Sequence, residues 1–182
     1  MMRSYCFAIF AGLLVMECQA GDWPAFRGPT GQGMAKAEKT PLEWSPSSGI
    51  AWKVPLPGPG ASGAVVSSGR VFVTCYSGHL VPGMPGGSTA SLKRHLLCLE
   101  ASSGQTVWEK VVPAKLPEEE KIRDHGYAAS TPLVDDKLVY AFFGKSGLHA
   151  FSLDGVKAWE ADVGSSTRSE EHTSELQSRQ YL

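Results

Sequence analysis

The sequence predicts an all-β chain, a fragment of a β-propeller with about two four-stranded blades and part of another. Three observations carry that prediction. A strand–turn–strand unit with the spacing Gly-x-x-x-Trp occurs twice, at Gly104–Trp108 and Gly155–Trp159. A second strand–turn–strand unit precedes each of them, Ser62–Cys75 aligning without a gap on Ser130–Phe143. No long segment repeats its apolar residues at helical spacing.

Taken along the chain, residues 1–20 read as a secretory signal peptide. Arg3 supplies positive charge, Tyr5–Met16 is apolar, and Ala20 is a small residue before the expected cut. Twelve apolar residues are too few to span a bilayer, so no transmembrane segment is expected after cleavage. The propeller part is assigned to residues 21–167. Within it, S-S-G-I-A-W ends at Trp52 and forms a third, weaker copy of the Trp unit, placing Trp52, Trp108 and Trp159 at intervals of 56 and 51 residues. That period is close to that of a propeller blade.

Ser62–Cys75 and Ser130–Phe143 each read as strand, short polar turn and strand, rich in β-branched and aromatic residues. Adding the two strands around Gly-x-x-x-Trp gives four strands per unit. Ser77–Arg94, rich in Gly and Pro, reads as an inserted loop within the first unit. Pro117–Arg123 is the one stretch suited to a helical turn, and Glu118, Glu119 and Glu120 within it read as a solvated face. Asp135 and Asp136 read as a hairpin turn. Gly144-Lys145-Ser146-Gly147 lacks the upstream glycine of a phosphate loop, Val139 standing there, and reads as a tight turn.

A large aromatic plate on every blade is what packing one sheet on the next requires, with an indole N–H free to meet a neighbouring carbonyl. Trp52, Trp108 and Trp159, with Gly104 and Gly155, are therefore expected to be blade-packing residues. A ligand would need one special tryptophan, not one per repeat.

Charge excludes some functions. Acidic and basic residues balance between Gly21 and Thr167, 14 of each, which gives no reason to expect a nucleic-acid partner. Cys75 and Cys98 remain after signal removal; a disulfide and two buried free thiols are both open. His79, His95 and His149 show no ligand spacing, and no metal site is expected. His125 and Tyr127, in the linker before a strand, are the candidate residues for binding a ligand or partner. No catalytic residue stands out.

The pattern L-x-[AC]-[FL] followed by Gly-x-x-x-Trp resembles the repeat of the pyrroloquinoline-quinone (PQQ)-like β-propeller superfamily, which includes quinoprotein alcohol dehydrogenases and BamB-type outer-membrane assembly scaffolds. D-W-P-A-F-R-G-P-T-G-Q-G (Asp22–Gly33), H-G-Y-A-A-S-T-P (His125–Pro132) and F-F-G-K-S-G-L (Phe142–Leu148) look like the secreted subgroup common in planctomycetes and related bacteria. The resemblance implies an exported protein, periplasmic or extracellular, acting as a non-enzymatic binding or scaffold module toward a protein or small-molecule partner. Its alternative implication is the N-terminal part of a PQQ-dependent alcohol or sugar dehydrogenase. Such dehydrogenases carry a vicinal Cys-Cys disulfide, a carboxylate base and acidic and amide Ca²⁺ ligands, and no such set is evident here. Arg168–Ser178, R-S-E-E-H-T-S-E-L-Q-S, resembles the translation of a short-read sequencing adapter. Residues 168–182 are accordingly expected to carry no biology, and Glu170, Glu171, His172 and Glu175 to form no metal site.

Overall fold

The computed structural model of the chain describes residues 21–35, 42–120 and 125–164. The expectations for the signal peptide and for residues 168–182 lie outside them. The first blade begins with β1 (Val65–Ser67) and β2 (Arg70–Ser77), joined by a two-residue turn. Ser68 and Gly69 both take positive φ, 51° and 71°. That backbone twist suits adjacent antiparallel strands, which is why a glycine sits there.

Between β2 and the next blade strand comes a small separate hairpin of β3 (His79–Val81) and β4 (Met84–Gly87). The insertion lies where the sequence reading expects a loop, but it contains a hairpin. The signal lay in Val81-Pro82-Gly83-Met84: proline fixes the second position of a turn, and Gly83, at φ 77°, supplies the left-handed third position. Gly87 lets the hairpin close tightly at its base, where it pairs with His79, because a side chain there would collide with the Gly78 carbonyl.

The blade continues with β5 (Lys93–Glu100) and β6 (Thr106–Pro113), giving the antiparallel order β1-β2-β5-β6. The second blade is a plain meander of β7 (Leu133–Val134), β8 (Leu138–Phe142), β9 (Leu148–Ser152) and β10 (Lys157–Ala161). In its first turn Asp135 accepts bonds from the Lys137 and Leu138 amides at 2.8 and 2.7 Å, as the turn reading requires. Gly144–Ser146 is a short 3₁₀ turn. Pro117–Glu120, the described part of the expected helical turn, is not helical. The Trp52 copy is likewise not a strand; it lies as an extended segment over the first blade.

Alternation along the strands divides each blade into two faces. Phe72, Leu96 and Cys98 of the first blade meet Val139, Ala141, Phe143 and Phe151 of the second, forming the main core. Cys75, Leu97 and Leu99 point the other way and are covered by Trp52 and Val54. Cys75 and Cys98 are thus free thiols on opposite faces of one sheet, which excludes a bond between them in this fold. Burial pushes the Cys75 thiol up to about 11.

The inner edges of both blades are bridged by the N-terminal segment. Trp23 exchanges backbone bonds with Val66 at 2.8 and 2.9 Å, and the Pro24 carbonyl accepts from the Val134 amide at 2.9 Å.

Candidate functional site

Two of the three repeat tryptophans reach forward to the next unit. The Trp52 indole N–H donates to the Ala101 carbonyl at 2.8 Å, and that of Trp108 donates to the Leu153 carbonyl at 2.9 Å. Their rings lie on the repeat glycines: a Cβ on Gly104 would stand 2.5 Å from the Trp52 ring, and one on Gly155 2.9 Å from that of Trp108. Phe72 and Trp108 stack at 5.9 Å with a 48° tilt, and Tyr140 and Trp159 repeat that geometry at 5.9 Å and 50°. Trp159 itself is 42% exposed.

The linker carrying His125 and Tyr127 is stitched to the first blade along its length. Ala128 O accepts from the Ala61 amide at 3.0 Å, Ser130 O from the Thr74 hydroxyl at 3.2 Å, and Thr131 Oγ1 from the Gly63 amide at 2.9 Å. Tyr127 is buried, its ring edge-on to Tyr76 at 5.4 Å and tilted against His79 at 5.7 Å. Its hydroxyl donates to the Glu119 carbonyl at 2.6 Å. Burial first, and then the negative charges of Glu118 and Glu120, push the Tyr127 phenol up to about 12.

Beside Tyr127 lies a buried guanidinium that the sequence did not single out. Arg94, only 1% exposed, donates through Nε to the Tyr127 carbonyl at 3.0 Å. It also donates through Nη1 to Ser146 Oγ at 3.1 Å and through Nη2 to Glu118 Oε2 at 2.7 Å. The Glu118 carboxylate is 6% exposed, which corrects its reading as a solvated charge. An arginine buried this deeply requires a counter-charge and several acceptors, and here they come from the linker and from the second blade. Ser146 Oγ also donates to the Pro113 carbonyl at 3.1 Å and accepts from the Lys115 amide at 3.1 Å.

His125 turns Nδ1 to the Gly126 carbonyl at 3.0 Å, and its buried Nε2 has no hydrogen-bond partner among the described residues. His79, 7% exposed, holds Nε2 3.3 Å from the Glu120 carbonyl, and its Nδ1 has no partner among the described residues. The structure therefore joins Tyr127 with His79, Arg94 and Glu118, whereas His125 is held locally. Charge-run and spacing arguments could not find Arg94 or Glu118, whose meeting depends on the linker returning over β5.

A third group comes together on the opposite face of the first blade. Ser77, His95 and Glu109 lie on β2, β5 and β6, with Ser77 Oγ 2.7 Å from His95 Nε2 and His95 Nδ1 2.5 Å from Glu109 Oε1. His149 in the second blade contacts the Ser146 carbonyl at 2.8 Å and Glu160 at 3.4 Å. Among the described residues, no three His, Cys, Asp or Glu side chains form a metal-ligand group.

Two four-stranded antiparallel sheets, packed face to face through a tryptophan on the outermost strand, define part of a PQQ-like β-propeller. Residues 44–180 match the family described as outer membrane protein assembly factor BamB, and the chain belongs to that family. The match runs through the boundary at Thr167 into the adapter-like segment. Among solved structures, the chain is similar to BamB from Moraxella catarrhalis at 21% identity, with a TM-score of 0.40, over 63% of this chain. It spans 27% of that protein's chain. No curated protein matches.

Proposed function

We propose that this chain is part of an exported PQQ-like propeller that acts as a non-enzymatic binding or scaffold module in the periplasm or outside the cell, toward a protein or small-molecule partner. The observation that carries this reading is membership of a family described as an assembly factor, a role performed by holding other molecules. The chemistry around Tyr127 supports it. All three guanidinium nitrogens of Arg94 and the Tyr127 hydroxyl are engaged within the chain, holding blades and linker together. Among the described residues, no helix is long and apolar enough to cross a membrane. On this reading residues 1–20 are the export signal, and the segment after Thr167 is adapter-derived.

The test has three parts. Expressed in a Gram-negative host, the chain should be recovered from the periplasmic fraction with Gly21 as its first residue; a cytoplasmic product retaining Met1 refutes export. With PQQ and Ca²⁺ added, the full-length protein should bind no quinone and oxidise no alcohol in a dye-linked assay; stoichiometric quinone binding establishes the dehydrogenase instead. Resequencing the source DNA across the Thr167 codon should reveal further Gly-x-x-x-Trp units; a genomic sequence encoding Arg168–Leu182 refutes the adapter assignment.

A further inference from the structure

We infer that Ser77 is an activated nucleophile, a site of covalent acylation by activated carboxylic esters, with His95 as its base and Glu109 as the positioning residue. The inference goes beyond the scaffold reading and is independent of it, since an acyl acceptor modified once is not a turnover enzyme.

The argument begins with register. Ser77 is opposite Lys93, Cys75 opposite His95, and Leu97 opposite Glu109, so the three polar residues run diagonally across three neighbouring strands on one face. Diagonal neighbours on a sheet are within reach of one another when one of them has a long or ring side chain. The imidazole is 6% exposed and uses both nitrogens. Glu109 as a carboxylate can only accept, so it fixes the proton on Nδ1 and leaves the Nε2 lone pair to receive the Ser77 hydroxyl. A hydroxyl donating to a base that a third group orients is the geometry that activates a serine.

The surroundings admit an acyl donor. Ser77 is half-buried, the Glu109 side chain is 35% exposed, and Val111, across the ladder from His95, is 50% exposed and offers apolar surface to an acyl chain. Lys93, exposed and paired with Ser77 across the ladder, is the cationic residue available to an oxyanion formed at Ser77. In the reaction, Ser77 Oγ forms a bond to the carbonyl carbon while its proton passes to His95 Nε2. Glu109 stabilises the resulting imidazolium. The tetrahedral intermediate then collapses, the bond to the leaving alcohol breaks, and that alcohol takes the proton from Nε2. The products are the Ser77 acyl ester and the free alcohol.

The probes are p-nitrophenyl acetate and a fluorophosphonate, applied to the whole chain. A burst of nitrophenol and an adduct mapped to the peptide containing Ser77 are expected, both absent from urea-unfolded protein and from Ser77→Ala. Glu109→Gln should slow labelling by roughly 10-fold or more, with Glu109→Asp restoring part of the rate and the unfolding transition unchanged in both. Labelling elsewhere, or none on the folded wild type, overturns the inference. Mapping the wild-type adduct decides the matter even where a variant fails to fold.

Discussion

Trp108 and Trp159 hold the same place in successive repeats but differ in what covers them, and that contrast makes a quantitative test. Trp108 contacts Phe72 at 5.9 Å and Phe151 at 6.4 Å, donates to Leu153 O, and lies over Gly155. Truncating a packed tryptophan to alanine costs about 3–5 kcal/mol through lost transfer energy and the cavity left behind. Of that, the hydrogen bond to Leu153 accounts for about 1 kcal/mol, so Trp108→Phe should recover most of the loss. Trp159 is 42% exposed and stacks only on Tyr140 among the aromatic rings described. Its replacement by alanine should cost about 1 kcal/mol, the scale of one aromatic pair with part of its area. Urea titration followed by far-ultraviolet circular dichroism, at micromolar protein, measures both. A difference of a few kcal/mol between the two variants is expected. Equal losses would refute the claim that the contact with the following blade, rather than the repeat position itself, gives the tryptophan its weight.

Gly104→Ala places a methyl 2.5 Å from the Trp52 ring on a backbone at φ 72°, so a loss of about 1–2 kcal/mol from the left-handed conformation alone is expected, plus the displacement of Trp52. An unchanged urea midpoint contradicts it. Asp135 is held below the usual carboxylate range by the Lys137 amide, then by the Tyr140 hydroxyl and the Leu138 amide. Because its folded value is depressed, its stabilising contribution is present above about pH 4, near the unfolded value, and lost as pH falls through the folded one. Asp135→Asn should therefore flatten the acid limb of a stability profile, by under about 1 kcal/mol for so exposed a group. The Tyr127 phenol has the opposite sign. Raised to about 12, it contributes below the unfolded value near 10 and loses that contribution as pH climbs toward 12. Tyr127→Phe should remove this alkaline limb and cost about 1 kcal/mol at neutral pH for the bond to Glu119, read by urea titration across pH.

The fold was legible because it is written locally and twice. A glycine followed four residues later by tryptophan, and a polar turn between β-branched runs, specify hairpins without reference to distant chain. Val81-Pro82-Gly83-Met84 carried the same kind of information, but its flanks, His79-Leu80 and Pro85-Gly86-Gly87, have little strand propensity, so the turn was absorbed into a loop. The candidate site was legible only in part. Tyr127 could be picked out from the linker, but Arg94 reads as the last residue of the inserted loop, whereas β5 takes it up, alternation turns it inward and the linker brings Glu118 to it. Ser77, His95 and Glu109 are 18 and 14 residues apart in sequence, and only the ladder register makes them neighbours. No periodicity within a single strand can encode a diagonal across three.

The forward-reaching tryptophan has a direction, donor in one unit and acceptor in the next, and contacts of that kind either close into a ring or propagate without end. Among the described residues the donors and seats can be matched one to one. The Gly104 seat is filled by Trp52 of the same chain and the Gly155 seat by Trp108, so among the described residues one plug, Trp159, is left over with no empty socket to receive it. The contact is thus a polar coupling between consecutive units, with the indole donor always earlier in the chain than the carbonyl that accepts from it.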